Sequence, residues 1–225
     1  MKKLISSIIF ALLVSFPALS EISVGLSANY SGFYGEGTET ETNNDGGITK
    51  TQSAGAFEDN YPTVFAEYDA GSIIVGLSYA HEGIETPTNT NVQSSLNGDK
   101  TSKTNTVKAE FTNILTAYAI VPTPLFGLYV KGGYIQADIT SLEVLGTGGS
   151  YPNADTTGIV AGFGIEKGFG NMFVRAEVLG AMYDDIEVEN ANKQKLTAST
   201  ETTAKKVKVE EMMSANATIS VGYSF

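Results

Sequence analysis

The C-terminal stretch of the chain, residues 207–225, alternates between apolar side chains and small or polar ones. Counting back from Phe225 to Met213 in steps of two gives only apolar residues, and the positions between them hold serine, glycine, threonine and asparagine. Because successive side chains of a strand point to opposite faces, this pattern predicts one long β-strand with an apolar and a polar face. The strand exceeds the ~9–11 residues with which a tilted strand crosses a lipid bilayer. Its apolar face carries Phe225, Tyr223, Val221, Ile219, Ala217, Ala215 and Met213.

Seven further segments repeat the two-residue period, so the sequence predicts eight strands in all. In the first of them, Ile22, Val24 and Leu26 alternate with Ser23 and Gly25. The others begin near residues 61, 73, 105, 126, 158 and 173. Since no cysteine and no second long apolar helix candidate occurs, strands are the elements from which this domain is expected to be built.

The connections between these segments alternate in length. Short turns are predicted at residues 69–72, 122–124 and 168–171, where glycine, proline and asparagine cluster. Polar stretches without periodicity predict long loops at residues 35–60, 83–104, 140–155 and 184–206. Three short turns on one side and four long loops on the other is the asymmetry of a bacterial outer-membrane barrel. Both chain ends fall on the short-turn side.

The N-terminus has the pattern of a secretory signal peptide. Lys2 and Lys3 form a basic region, an apolar run follows, and Ala18 and Ser20 are the small residues of a cleavage site. We therefore expect residues 1–20 to be a signal peptide and residues 21–225 to be one barrel domain. Without Lys2 and Lys3 the chain has 12 basic and 25 acidic residues, a formal charge of −13. That charge argues against nucleic acid as a partner.

Taken together, these segments resemble the small eight-stranded outer-membrane β-barrels of bacteria, the group that includes the OmpA transmembrane domain, OmpX and the opacity-type adhesins. The resemblance implies an all-β fold, an eight-stranded antiparallel up-and-down transmembrane β-barrel. It also implies a monomer in the bacterial outer membrane with periplasmic termini, in contact with outer-membrane lipid and lipopolysaccharide. In that group the barrel-assembly machinery reads the closing strand, and Ile219, Val221, Tyr223 and Phe225 stand at the matching positions.

Alternation alone also fits a soluble barrel or sandwich, in which the apolar face would turn inward. Three features favour an apolar face that meets lipid. The polar face is built of small groups suited to a crowded lumen, and the signal peptide and Phe225 agree with an outer membrane. Tyrosines gather near the strand ends, where interfacial girdles lie. They are Tyr30, Tyr34, Tyr61, Tyr68, Tyr79, Tyr134, Tyr183 and Tyr223.

Charged residues on the polar faces are expected inside the barrel, whose interior eight strands leave just wide enough for side chains. Because an isolated buried ion is costly, Lys131 and Arg175 are predicted to pair with carboxylates in a lumenal charge network. The carboxylates proposed for it are Glu67, Glu166 and Glu177.

The fourth strand breaks the pattern at Asn113, which falls on the apolar face and indicates a β-bulge. Lys108, Glu110 and Thr112 are assigned to the polar, lumenal face of this strand. The residues assigned to its apolar, outward face are Val107, Ala109, Phe111, Leu115 and Ala117.

The chemistry that the sequence offers is sparse. His81 is the single histidine, and no serine stands at a recognised catalytic spacing from it, so the chain is expected not to be an enzyme. Asn44, Asp45 and Gly46, and separately a run of acidic residues, could hold a divalent cation, but solvated loop charge is the preferred interpretation. That run comprises Asp184, Asp185, Glu187 and Glu189. No metal or cofactor is expected.

A lysine group in the last long loop offers a contact for lipopolysaccharide phosphates. It consists of Lys193, Lys195, Lys205 and Lys206. The role that the resemblance implies is structural and interactive, with four long loops presented outside the cell. The alternative is a narrow porin-like channel for ions or small solutes. A third reading, an apolar conduit of the OmpW kind, is disfavoured by the mostly polar lumen that the sequence predicts.

Overall fold

The computed structural model describes residues 21–42, 47–81, 83–94, 102–145, 150–190, 194–196 and 201–225. The predicted signal peptide and the candidate cation ligands Asn44, Asp45 and Gly46 lie outside these ranges. Within them, no helix is long and apolar enough to cross a membrane.

The described residues form strands joined by turns and short irregular segments. The strands are β1 (Glu21–Thr42), β2 (Ile48–Asp69), β3 (Ile74–Ala80), β4 (Ile84–Glu85), β5 (Asn89–Ser94), β6 (Ser102–Pro122), β7 (Leu128–Leu145), β8 (Ala154–Phe169), β9 (Met172–Tyr183), β10 (Ile186–Glu189), β11 (Gln194–Leu196) and β12 (Glu201–Ser224).

Eight of these strands close into a ring in the order β1, β2, β3, β6, β7, β8, β9, β12, with every neighbouring pair antiparallel. The ring closes where β12 pairs with β1, from Ser23 opposite Ser224 to Thr42 opposite Ala204. Closure gives the first and last strands a hydrogen-bonding partner on both sides, which is how a barrel avoids open sheet edges. The predicted all-β, eight-stranded antiparallel up-and-down barrel is confirmed.

The two ends of the barrel differ. The β2–β3, β6–β7 and β8–β9 turns and both ends of the domain lie at one end, called here the short-turn end. The β1–β2, β3–β6, β7–β8 and β9–β12 connections lie at the other, the long-hairpin end. The order of short and long connections is the predicted one.

The prediction that residues 35–60 form a loop is wrong, because β1 and β2 continue as one hairpin as far as the pair Thr42 and Ile48. In the same way β7 runs to Leu145, and β12 begins at Glu201, within stretches that the sequence assigns to loops. In these extensions both faces of a strand meet water, so strand pairing continues there without an apolar alternation to reveal it.

The apolar faces of the strands point outward. On β1, Leu26 is 66% exposed and Ser23 only 8%; on β12, Ile219 is 56% exposed and Ser220 only 3%. We call the exposed apolar surface the outer belt. It includes Ile22, Val24, Leu26, Val64, Val75, Val121, Val130, Ile159, Phe163, Ile165, Val174, Val178, Ile219 and Val221.

The outer belt has the height of a bilayer core. On β12 it runs from Met213 to Tyr223, about 33 Å at ~3.3 Å per residue and about 25 Å along the axis at the usual tilt of roughly 40°. An apolar band of about 25 Å is typical of outer-membrane barrels. Toward the long-hairpin end the belt gives way to exposed hydrogen-bonded polar pairs, namely Tyr30 with Glu58, Tyr79 with Asn113, and Thr157 with Asp184.

The predicted bulge in the fourth strand is present, and it changes the assignment of faces. Asn113 has a φ of 52°, and the register of β6 against β7 shifts between Thr112 and Leu115. On the far side of the bulge Phe111 lies opposite the buried Ile139, so Phe111 shares its inward face.

The assignment of Val107, Ala109 and Phe111 to the outward face, and of Lys108, Glu110 and Thr112 to the lumen, is therefore wrong. One extra residue reverses the phase of every position beyond it. Lys108 instead forms an ion pair with Glu85 of β4 at 2.5 Å, with both side chains partly exposed.

Two of the tyrosines expected at the outer boundary lie in the lumen. Tyr61 and Tyr183 pack against the buried cluster around Ile114 and Ile135. Tyr30, Tyr134 and Tyr223 are outward and roughly half exposed.

Candidate functional site

The lumen is filled in layers, and aromatic rings close it at the short-turn end. Phe65 and Phe173 face each other there, with ring centroids 6.2 Å apart. Each lies directly opposite a glycine on the neighbouring strand, Gly25 for Phe65 and Gly222 for Phe173. A Cβ atom on either glycine would overlap the ring. The glycines of the polar faces thus provide the volume that large rings occupy.

The same arrangement recurs one step further in. Tyr118 lies opposite Gly76 and Tyr129 opposite Gly164, and both rings cover the glycine they face. These four pairs of a glycine and an aromatic residue bring bulky side chains into a barrel of only eight strands. The two tyrosine hydroxyls reach the charged residues described next.

The five residues of the predicted charge network form one layer, which we call the charge layer: Glu67, Lys131, Glu166, Arg175 and Glu177. Arg175 Nη1 lies 2.5 Å from Glu67 Oε1, and Arg175 Nε lies 2.6 Å from Glu166 Oε2. Lys131 Nζ lies 3.1 Å from both carboxylate oxygens of Glu177. The side chains of Glu67 and Glu177 are only 2% exposed, whereas Glu166 is 34% exposed.

Neutral groups complete the charge layer. Tyr118 donates to Glu67 Oε1 and Tyr129 donates to Glu177 Oε1, each at 2.7 Å. Lys131 Nζ lies 4.0 Å from the centre of the Tyr118 ring, a cation–π distance. A buried charged group needs an opposite charge and hydrogen-bond donors or acceptors around it, because an isolated ion is costly to bury. The two basic and three acidic side chains of the charge layer provide these partners for one another.

Above the charge layer the wall is polar on one side and apolar on the other. Ser27 and Ser220 are hydrogen-bonded at 2.8 Å, and Thr218 donates to Asn29 Oδ1 at 2.8 Å. Val160, Ile135 and Leu179 line the opposite side of a cavity of about 50 Å³. Asn216 lines this cavity, and its buried Oδ1 has no hydrogen-bond partner among the described residues. A space of this size holds a few water molecules, which polar walls of this kind retain.

An apolar layer closes the lumen toward the long-hairpin end. Ile84, which is 1% exposed, packs with Ile114 and Ile135, and the rings of Phe33 and Phe57 stack at 4.9 Å on this cluster. The prediction of a mostly polar lumen is therefore wrong for this part of the barrel. This layer was not predicted, because Phe57 lies in the stretch assigned to a loop and Phe33 lies just before that stretch. Phe33 is two residues from the inward Ser31, and Phe57 is two residues from the inward Asp59; this spacing was the available signal.

The single histidine is an exposed residue. His81 Nδ1 lies 3.1 Å from the Tyr79 hydroxyl on the outside of the barrel, and that hydroxyl donates to Asn113 at 2.7 Å. No group of three or more metal-binding side chains occurs among the described residues.

Lysines at the start of β12 form ion pairs with acidic side chains, two of which are candidate cation ligands. Lys206 binds Glu187 at 2.6 Å, and Lys208 binds Asp185 at 3.1 Å. Hydrogen bonds from Lys208 to Glu210 and Asp185 raise the pKa of its ammonium group above the ordinary value. Lys205 binds Glu39 of β1 at 3.2 Å. These lysines are therefore engaged by carboxylates, while Lys193 and the side chain of Lys195 lie outside the described part.

The proposed insertion signal lies on the outer belt. Ile219, Val221, Tyr223 and Phe225 are 43–74% exposed on the outward face of β12. The Tyr223 and Phe225 rings meet edge to face at 5.0 Å, and Phe225 N donates to Ile22 O at 2.9 Å. This geometry leaves the four side chains accessible from outside the barrel. Its reading by an assembly machinery stays a prediction.

Comparison with known proteins gives structural matches alone, since no family model and no curated protein sequence matches the chain. The outer membrane protein OprG from Pseudomonas aeruginosa matches with a TM-score of 0.48 and 15% identity, covering 89% of this chain and 96% of that one.

Two further matches are proteins of other bacteria. The attachment invasion locus protein Ail of Yersinia pestis has a TM-score of 0.35 and 11% identity, covering 88% of this chain and 99% of that one. The Neisserial surface protein NspA has a TM-score of 0.36 and 8% identity, covering 87% and 97%. At these values the similarity concerns the barrel architecture alone. The architecture itself rests on the closed ring of strands described above.

Proposed function

We propose that the chain is a bacterial outer-membrane barrel with a structural and surface-interaction role. In this proposal the closed cylinder spans the lipid and holds long polar hairpins outside the cell. The exposed outer belt carries the proposal, because an apolar surface that encircles a whole protein is suited to lipid and not to water. Lipid facing the outer belt also accounts for the inversion of the usual pattern, with serine and threonine buried and leucine and valine exposed.

The hairpins are suited to display because they are continuations of the barrel wall. Strands β1 and β2 have 22 residues each, about 70 Å of strand at ~3.3 Å per residue. The outer belt ends on β1 near Tyr34, whose hydroxyl donates to Glu36 at 2.6 Å. The paired strands beyond that point project from the membrane as a ladder of polar residues. Surface-exposed extensions on a rigid scaffold are where recognition is usually located.

The filled lumen favours this role over the alternative of a narrow channel. The charge layer and the apolar layer each occupy the cross-section, and the cavity between them is only about 50 Å³. An ion crossing the barrel would have to break the pairing of Arg175 or Lys131 and then pass a layer of isoleucine and phenylalanine side chains. The proposed role is also non-enzymatic.

Accessibility of single cysteines on living cells tests the proposal, since the natural chain has no cysteine. Ser53→Cys lies on the β1–β2 hairpin, and Ala70→Cys lies in the β2–β3 turn; both positions are exposed. A membrane-impermeant maleimide is expected to label the first variant on intact cells and the second only after lysis. Labelling of Ala70→Cys on intact cells, or of neither variant before lysis, contradicts the proposed topology.

A further inference from the structure

The turns at the short-turn end differ in polarity. In the β6–β7 turn Leu125 is 58% exposed and Phe126 is 95% exposed, and at the β8–β9 turn Phe169 is 62% exposed. The β2–β3 turn instead has the sequence Asp-Ala-Gly-Ser and is closed by a hydrogen bond from Gly71 N to Asp69 Oδ1 at 2.6 Å. In the ring of strands this polar turn lies directly across from the β8–β9 turn.

Phe126 occupies a conformation that is unfavourable for its residue type. Its φ is 43° and that of Gly127 is 79°, while Leu128 N donates to Leu125 O at 2.7 Å. Two successive positive φ angles within such a hydrogen-bonded turn define type I′, whose first central position favours asparagine, aspartate or glycine. A bulky side chain there costs roughly 1–2 kcal/mol. The strained backbone therefore holds a phenylalanine ring in almost full exposure.

The rest of the β6–β7 turn is firmly fixed. Thr123 N donates to Leu128 O at 2.9 Å, and Glu166 N of β8 donates to Gly127 O at 2.9 Å. The direction in which Leu125 and Phe126 project is thus set by the barrel.

We propose that Leu125, Phe126 and Phe169 form an interfacial anchor that enters the headgroup layer of the lipid leaflet at the short-turn end. This inference rests on the proposed function, in which lipid covers the outer belt. The anchor is continuous with the outer belt, because Leu128 and Val130 follow Phe126 on β7 and Ile165 precedes Phe169 on β8. Aromatic rings are favoured at this depth.

Charge supports lipid as the occupant. Lys167 lies between Ile165 and Phe169 on the same outward face, opposite the outward Val174 of β9. A lysine at the edge of an apolar surface extends its ammonium group toward lipid phosphates while its methylene stem stays in the apolar region. The anchor thus combines an apolar tip with a cation at headgroup level.

The one-sided distribution of the anchor has a geometric consequence. Apolar tips lie at the β6–β7 and β8–β9 turns, while Asp69 and Ser72 occupy the β2–β3 turn across the barrel. The side with the anchor therefore enters the headgroup layer, and the side with the polar turn stays in water. The barrel axis is tilted from the membrane normal accordingly.

Tryptophan fluorescence measures these depths directly, because the natural chain contains no tryptophan. The refolded full barrel domain is placed in dioleoylphosphatidylcholine vesicles that contain lipids brominated at known depths. The single-tryptophan variants are Val130→Trp in the outer belt, Phe126→Trp in the anchor and Ala70→Trp in the polar turn. We expect strong quenching of Val130→Trp by deep bromines. Phe126→Trp should be quenched by bromines near the headgroups, with blue-shifted emission relative to an unquenched Ala70→Trp.

Each other outcome has a defined meaning. If Val130→Trp is quenched and Phe126→Trp emits like Ala70→Trp, the anchor is refuted and the proposed function stands. If Val130→Trp is itself unquenched in the folded protein, the proposed function fails. Equal quenching of Ala70→Trp and Phe126→Trp refutes the tilt. Should Phe126→Trp not fold, Leu125→Trp in the same turn carries the identical test.

Discussion

Arg175 of β9 and Glu67 of β2 join opposite parts of the barrel wall, with Nη1 and Oε1 2.5 Å apart and strands β12 and β1 between them. Lys131 of β7 and Glu177 of β9 make a second tie across β8. Because these contacts link strands that are not neighbours, they brace the cylinder in a direction that backbone ladders do not. Their burial also makes each partner costly to leave alone.

Arg175→Met is expected to lower the free energy of unfolding by about 3–5 kcal/mol, the range for breaking a buried ion pair. The variant leaves the Glu67 side chain almost fully buried without its arginine partner, and Tyr118 is then its remaining hydrogen-bond donor among the described residues. Equilibrium urea unfolding in phospholipid vesicles measures the loss. Lys108→Met is the matched control, because its pair with Glu85 is partly exposed and an exposed pair contributes about 0–1 kcal/mol.

A second substitution separates the ion pair from its surroundings. Glu67→Gln in the Arg175→Met background removes the unpaired charge and should restore part of the lost stability. If the double variant is as unstable as Arg175→Met, the penalty comes from lost packing of the arginine against Phe173, whose ring centre lies 4.4 Å from Cζ.

The natural chain is expected to be electrically silent in planar lipid bilayers. In the described part of the barrel the charge layer and the apolar layer lie on either side of a cavity of about 50 Å³, so we expect side chains to block the passage of ions. Single-channel recording of the purified, folded protein at several voltages checks this. Single-channel current steps of constant size would contradict this expectation and would favour a channel as the primary function. If the Arg175→Met variant conducts ions and the natural chain does not, the charge layer is the barrier.

The positions of the eight ring strands were predictable because one face of each is exposed and apolar and the other lines a filled lumen, which imposes a period of two. Leu26 and Ser27 of β1, like Val221 and Gly222 of β12, meet opposite environments, and the sequence records that difference at every step. The residues of the charge layer were predictable for the same reason. Charges on the inward face of a small barrel must meet each other.

The extensions and the upper lumen were not predictable on that basis. From Glu36 to Thr42 the strand is paired on both sides in water, so neither face has to be apolar. Phe33 and Phe57 stack across that hairpin and close the lumen, although Phe57 is a single aromatic residue in a polar stretch. A residue inserted at Asn113 reverses the facing of Phe111 and Lys108, and a sequence pattern shows the insertion without showing which half keeps its phase.

The bulge at Asn113 can be tested by substituting residues that differ in their tolerance of a positive φ angle. Asn113 has a φ of 52°, and its side chain donates to Asp138 at 3.1 Å. Asn113→Val is expected to lower the free energy of unfolding by about 1–2 kcal/mol or more, since a β-branched residue is strained at positive φ. Asn113→Gly keeps the backbone conformation and should cost much less. Urea unfolding of the two variants in vesicles gives the comparison, and equal losses would show that the side-chain hydrogen bonds matter more than φ.

The glycines opposite lumenal aromatic residues are expected to be required for packing. A Cβ atom at Gly222 would overlap the Phe173 ring, so Gly222→Ala should destabilise the folded barrel by about 1–3 kcal/mol through overpacking. Phe173→Leu in the same chain frees the space and should reduce that penalty, although it is destabilising alone. Gly55→Ala is the control, because no atom lies within 4 Å of its added Cβ, and its effect should be neutral or stabilising by up to ~1 kcal/mol. Urea unfolding measures all four variants, and strictly additive losses for Gly222→Ala and Phe173→Leu would show that the two residues do not share one space.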